Sequence, residues 1–319
     1  MSYFPGSKYL FLFVYLFTFI TGLPLNIAAL STLINKSSHN LLPVDILLAN
    51  LTVSDLLLLT FLPFRMVEAA FDMSWPMPYI FCPLSSFMYF SSIYITSLLL
   101  MAISVERYLA TAFPIKYKIL RNPLYSLVGS MFIWFLATVH CSIVFIVEHS
   151  VTNMTATSNS TVCYNTFSPS QLELLLTVRL EICFALFCIP FMITIFCYGN
   201  FIKIVMWRSR LDSKRKRRAI GLVMATLINF IVCFMPYNVS HIVGFIEGAS
   251  PDWRVYALLL STFNASLDPI IFYFSSTSFK KPLLDRLLHG LKKLDFGTYW
   301  YKFCIAPCIK ETGSIDVST

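Results

Sequence analysis

A chain of 319 residues of which 57% are hydrophobic and only 13% charged carries too little polar surface for water to wet it as a soluble domain. Its formal charge of +8 would suit nucleic acid, but the Lys and Arg residues crowd into alternate connections between long apolar runs, as the positive-inside bias of membrane proteins requires. Nucleic acid is thereby excluded as a partner, and membrane lipid takes its place.

Met1 to Lys8 lead straight into an apolar run too long for a signal h-region and closed by no small-residue cleavage site, so the first helix is expected to serve as its own insertion signal. A helix of about 20 apolar residues crosses a bilayer core. Seven runs qualify: Tyr9 to Ile34, Val44 to Phe71, Phe81 to Ala112, Leu124 to Val147, Leu172 to Met206, Ala219 to Ile246 and Val255 to Phe274. Helices are required because lipid satisfies no bare backbone group. The expected fold is all-α, a seven-transmembrane helix bundle over residues 9–274, behind a short extracellular N-terminus at 1–8.

Lys36, Lys116, Lys118, Arg121, Arg208, Arg210 and the block Lys214 to Arg218 mark the cytoplasmic connections of a plasma-membrane protein, with its C-terminus inside. The connection from Glu148 to Gln171 is outside and carries glycosylation sequons at Asn153 and Asn159. Similar triplets at Asn35, Asn50, Asn238 and Asn264 lie inside or in helices and are discounted. Of nine Cys, only Cys82 and Cys163 stand on the oxidising side. Beyond the last span, Phe279, Leu283, Leu284, Leu287, Leu288, Leu291 and Leu294 repeat at helical spacing among basic residues. They predict an amphipathic membrane-surface helix over 275–294, followed by a cytoplasmic tail at 295–319. In that tail, Cys304 and Cys308 are candidates for palmitate and Ser314, Ser318 and Thr319 for phosphate.

Ionisable residues at membrane depth are costly and mark function by default. Asp55 and Asp268 lie mid-span, and with Asn26, Thr96 and Asn264 they form either a small-cation site, such as one for sodium, or a hydrogen-bonded network with water. Glu106, Arg107 and Tyr108 close the third span at the cytoplasmic face, where Arg107 can pair with its neighbour at rest. Prolines 63, 190, 236 and 269 interrupt four spans and permit bends.

Among 24 basic residues only Lys8, Arg65, Arg179 and Arg254 lie on the outer side. Arg179 is roughly 12 Å along the fifth span at 1.5 Å per residue, Arg254 begins the seventh, and His241 nears the outer end of the sixth. A guanidinium fork fits a carboxylate through two parallel bonds. Tyr237 shares a helical face with His241 and completes the donors. The bland reading is that these arginines snorkel to headgroups or pair with Glu148, Glu173, Glu247 or Asp252, and for Arg65 that reading is preferred. His140, Phe87, Phe90, Phe145 and Ile143 are candidates for the pocket wall and its apolar floor. The short ectodomain implies a small ligand.

Seven landmarks stand in order and spacing: Asn26, Asp55, Glu106-Arg107-Tyr108, Trp134, Pro190, Cys233-Phe234-Met235-Pro236 and Asp268-Pro269-Ile270-Ile271-Phe272. In these the chain resembles the rhodopsin-like G-protein-coupled receptors. Val178 to Glu181, Pro236 to His241 and Asn264 to Pro269 further resemble the short-chain free fatty acid receptors. Phe90, Glu148 and the run Phe64 to Glu68 lean to the propionate-preferring sibling.

The resemblance implies a receptor for acetate, propionate and butyrate that couples to inhibitory G proteins and sometimes to the Gq class, with arrestin as a further partner. It implies that Arg179, Arg254 and His241 hold the carboxylate, with Tyr237, His140 and Tyr164 nearby, and it favours a bridge between Cys82 and Cys163 over two free thiols. Phe234, Glu106, Asp268 and Phe272 depart from the commonest residues of the wider family at its switching motifs.

Other classes fit less well. A transporter calls for internal repeats or a continuous polar path, and a retinal photoreceptor needs a Lys in the seventh span. An enzyme needs a metal cluster or nucleophile pair, which five scattered His do not supply. No cofactor is expected beyond the sodium candidate. A receptor for another small anion such as lactate is the alternative.

Overall fold

The computed structural model describes residues 7–37, 42–146, 163, 167–208 and 212–274. Among them seven helices are long and apolar enough to span a membrane: Ser7–Asn35, Pro43–Ala70, Phe81–Ala112, Pro123–Ile146, Gln171–Trp207, Ser213–Glu247 and Arg254–Phe272. The chain is a multi-pass membrane protein, as the apolar runs predict. The amphipathic segment 275–294, the tail, Asn153, Asn159 and Tyr164 lie outside the described residues.

Two boundaries differ from the expectation for physical reasons. The sixth helix begins at Ser213, so Lys214 to Arg218 continue it instead of forming a loop. Lys and Arg are good helix formers, and nothing stops the helix once it leaves the hydrocarbon. A short helix, Pro114–Leu120, sits between the third and fourth spans, started by a proline whose missing N–H is no loss in a first turn.

The first span packs on the second and seventh, the third on the second, fourth and fifth, and the sixth on the fifth and seventh. The third is the central helix: 78% of its apolar window is buried, against 28% for the fourth. Ile20 and Phe135, 66% and 65% exposed, belong to the faces that lipid covers.

Proline carbonyl partners are met by other spans. Pro190 has no N–H to give Leu186, so the fifth span widens into a π turn at Phe184–Cys188, and Ser97 of the third span donates to the Leu186 carbonyl at 3.2 Å. Pro269 leaves the Ala265 carbonyl in the same position, and Asn26 Nδ2 of the first span donates to it at 2.7 Å. Gly22 allows that approach, since a Cβ there would come within 3.3 Å of the same carbonyl.

One end of the bundle is tied by chemistry. Cys82, at the start of the third span, and Cys163 form a disulfide with Cα atoms 5.6 Å apart, packed with the buried Trp75. At that end Asp72 and Met73 turn the chain through positive φ, and Lys8 reaches Asp72 at 2.9 Å. Arg107 lies at the opposite end.

Candidate ligand-binding site

Three helix termini bring the cationic groups together near the disulfide. A capping box fixes the start of the fifth helix: Gln171 N–H donates to Ser168 Oγ at 3.4 Å, while Ser168 N–H donates to Gln171 Oε1 at 2.8 Å. Gly248, with φ of 64°, ends the sixth helix in the left-handed conformation, and the seventh begins at Arg254 a few residues on. His241 and Arg254 therefore face one another across a short turn.

Arg179, Arg254 and His241 are all buried, at 6%, 7% and 2% exposure, and all line one cavity with about 30 Å³ of room. Tyr237, Phe90, Tyr94 and Ile143 also line it. Arg254 Nη2 donates to Tyr237 Oη at 2.9 Å, and its guanidinium lies over the rings of Tyr237 and Phe90 at 5.2 and 6.0 Å. Its Nε has no hydrogen-bond partner among the described residues. Arg179 Nη1 donates to Ser250 Oγ at 2.8 Å. His241 stands edge-on to Tyr237 at 4.6 Å, with Nε2 at 3.1 Å from Tyr94 Oη and Nδ1 without a partner among the described residues. A buried guanidinium with a donor left over can take an anion, because desolvated charge is otherwise strongly unfavourable.

Arg179, Arg254, His241, Tyr237, Phe90 and Ile143 thus converge as the sequence predicts. Three pocket candidates do not. His140 turns to the seam between the fourth and fifth spans, where Nε2 lies 3.2 Å from Glu181 and Nδ1 donates to the Leu136 carbonyl at 2.7 Å. Phe87 and Phe145 pack against each other as tilted rings with centroids 5.1 Å apart and line no part of the cavity, with Phe145 40% exposed. An apolar helix does not reveal which of its faces meets the bundle, and these positions fall beside the wall. Tyr94, Leu175 and Ile182 line the cavity and were missed, since nothing in sequence separates them from ordinary core residues. Tyr94 was open to discovery as a phenol one turn beyond Phe90 on the central helix.

Beside this cavity, and sharing Arg254 and Phe90 with it, a second one of about 70 Å³ opens between the first, second, third and seventh spans. Arg65 there is held by Glu68 at 2.7 Å and by Ser86 at 2.6 Å. It is a paired cation, though its partner is Glu68 of its own helix and none of the four acids named from the sequence.

The mid-membrane polar set is less unified than predicted. Asn229 donates to Asn264 at 2.7 Å and to Asp268 at 3.0 Å, and Asn264 donates to Asp268 at 2.8 Å. Asn229 was not singled out in the sequence. Asn26 serves the seventh-span backbone, and Thr96 lies 3.4 Å from Ser54 Oγ, so neither bonds to this group. Asp55 is buried, and its Oδ2 has no hydrogen-bond partner among the described residues.

At the far end, Glu106 does not pair with Arg107. Glu106 accepts from the hydroxyl of Tyr117 on the short helix, and the Arg107 guanidinium lies over the Phe272 ring at 5.6 Å. Burial, and then the Glu106 carboxylate, raise the Tyr117 pKa above its ordinary value, so its phenol stays a donor. Tyr108 points away, edge-on to Phe113 and Phe196 at 6.4 and 6.0 Å. A phenol on a neighbouring element has replaced the expected salt bridge.

Seven spans thus hold a small cavity lined by Arg179, Arg254 and His241 near the disulfide, with Arg107 at the opposite end. The model of the 7 transmembrane receptor (rhodopsin family) matches residues 25–272. The chain belongs to that family, whose members are receptors and not enzymes. It is 49% identical to free fatty acid receptor 3 of Homo sapiens over 294 residues, 91% of this chain and 84% of that one. It is 47% identical to free fatty acid receptor 3 of Rattus norvegicus over 292 residues, 91% of each. With free fatty acid receptor 2 of Homo sapiens it shares 46% over 270 residues, 84% of this chain and 82% of the other.

Proposed function

We propose that this chain is a plasma-membrane G-protein-coupled receptor for short-chain carboxylates, with its disulfide end and N-terminus outside and its C-terminus in the cytoplasm. The observation that carries the reading is the shared cavity of Arg179, Arg254, His241 and Tyr237. Two guanidinium forks cover both carboxylate oxygens, and the phenol and imidazole complete the shell. Arg254 Nε is a donor in reserve for an anion, and His241 Nδ1 is a second in the tautomer whose Nε2 accepts from Tyr94.

Room for only a water or two, about 30 Å³, suits a carboxylate head with very few carbons. Such a ligand buries little surface, so affinity near the millimolar range, about 4 kcal/mol, is expected. The relatives' names, free fatty acid receptors 2 and 3, support a plain acyl tail over the hydroxylated tail of lactate. Ligand binding draws the fifth, sixth and seventh spans together around one charge. Those spans carry the π turn, Pro236 and the break at Phe263, where the bundle can change arrangement. A G protein, and arrestin after it, would meet the opposite end around Arg107.

Asp55 Oδ2 and the Asp268 carboxylate that acts electrostatically on it fit a small cation such as sodium, with Asp55 as the principal holder. Such an ion would supply positive charge to offset the buried carboxylates. Asn153 and Asn159 are proposed to be glycosylated.

The test is inhibition of cyclic AMP by acetate, propionate, butyrate and lactate in cells expressing wild type, Arg179→Ala and Arg254→Ala. Surface-expressed variants should lose the response to every acid. Unchanged potency in both defeats the assignment.

A further inference from the structure

At the end of the bundle assigned above to the cytoplasm, a cavity of about 380 Å³ opens where the short helix Pro114–Leu120 meets the ends of the third and fourth spans and the start of the second. Its wall is formed largely by Leu109, Phe113 and Tyr125, and its charged rim by Lys116 and Arg121. Phe113 and Tyr125 are 49% and 74% exposed, and Ile115 and Ile119 of the short helix are both 77% exposed. Apolar surface of that extent is not left to water in a folded protein. Neither Lys116 nor Arg121 forms an ion pair with a described residue. The acidic group in the cavity, Glu106, already accepts from Tyr117.

An apolar trough with two cations in its lining, at the end of the bundle assigned to the cytoplasm, matches one chemistry: a long acyl chain ending in a phosphate. A soluble anion would leave the trough uncovered, and a zwitterionic lipid would set its own cation against the rim. We propose that this cavity is a binding site for an anionic phospholipid of the inner leaflet. The phosphate lies between Lys116 and Arg121, and one acyl chain runs along Leu109, Phe113 and Tyr125. Because Tyr117 and Glu106 form part of the same cavity, a lodged lipid braces the short helix and keeps their hydrogen bond made. The inference rests on the proposed topology but not on the identity of the ligand at the other end.

The test uses the full chain in nanodiscs of phosphatidylcholine containing a trace of phosphatidylserine with a photoactivatable acyl chain, and in parallel a matched phosphatidylcholine probe. Cross-links are mapped by mass spectrometry after irradiation. Serine-lipid adducts on residues 109–126 should exceed choline-lipid adducts, and Lys116→Gln with Arg121→Gln should lower them about tenfold, as expected for two membrane-facing cations. Lys214→Gln with Arg215→Gln should leave them unchanged. Equal labelling of that segment by the two probes in the wild type overturns the proposal, and that comparison needs no variant to fold. Full competition by water-soluble glycerophosphoserine also overturns it, since the site would then hold a free anion without its tail.

Discussion

At the scale of single residues, the site turns on which donors an anion would find unpaired. Arg254 already spends one nitrogen on Tyr237, at 2.9 Å, and keeps Nε without a partner among the described residues. Arg254→Ala should therefore weaken propionate by about 2–5 kcal/mol, the range for truncating one member of a buried charged pair, which removes the response at any practical concentration. Arg254→Lys should not restore it, since a point charge lacks the fork and cannot reach ligand and Tyr237 together. Tyr237→Phe should shift potency by roughly tenfold, about 1–2 kcal/mol for one hydrogen bond to a charged group. Dose–response curves for cyclic AMP inhibition, corrected for surface expression, check all three. These residues were legible in sequence because a cation on the outer side of an apolar span is conspicuous. Tyr94 and Ile182 were not, since a helix conceals which apolar residue meets a cavity. The direction His140 takes was hidden for the same reason: its partner, Glu181, belongs to another span.

At the scale of elements, the bends in the spans are held by side chains from their neighbours. The hydropathy of the sequence predicted seven helices with most ends correct to a few residues, and the third to the residue. It also flagged Pro190 and Pro269, but not where their freed carbonyls go, because Ser97 and Asn26 stand about 90 and 240 residues away from Leu186 and Ala265. Asn26→Leu should cost about 1–3 kcal/mol by leaving the Ala265 carbonyl buried without a donor. A fall of several degrees in the thermal midpoint of the detergent-purified protein checks this. Asn200→Ala, which removes a bond to its own exposed helix backbone, should leave the midpoint unchanged. An equal fall in both would show that Asn26 has no special role across spans. The short helix Pro114–Leu120 escaped prediction because seven residues carry too little periodicity to read.

At the scale of the molecule, the two ends are separate devices joined by helices that bend between them. At the end near Arg107, Tyr117 occupies the carboxylate that the sequence assigned to Arg107. Tyr117→Phe should free Glu106 to pair with Arg107 one residue on and lower basal nucleotide exchange in membranes severalfold, with propionate potency little changed. Raised basal exchange would contradict that reading. The central claim concerns the opposite end and is tested most directly by watching the ligand itself. Saturation-transfer NMR of propionate with the receptor in nanodiscs is suited to millimolar affinity. The account predicts a saturable signal that acetate competes away, that neutral propionamide does not, and that Arg179→Ala and Arg254→Ala both abolish. Full signal in both variants, or competition by propionamide equal to that by acetate, would contradict it.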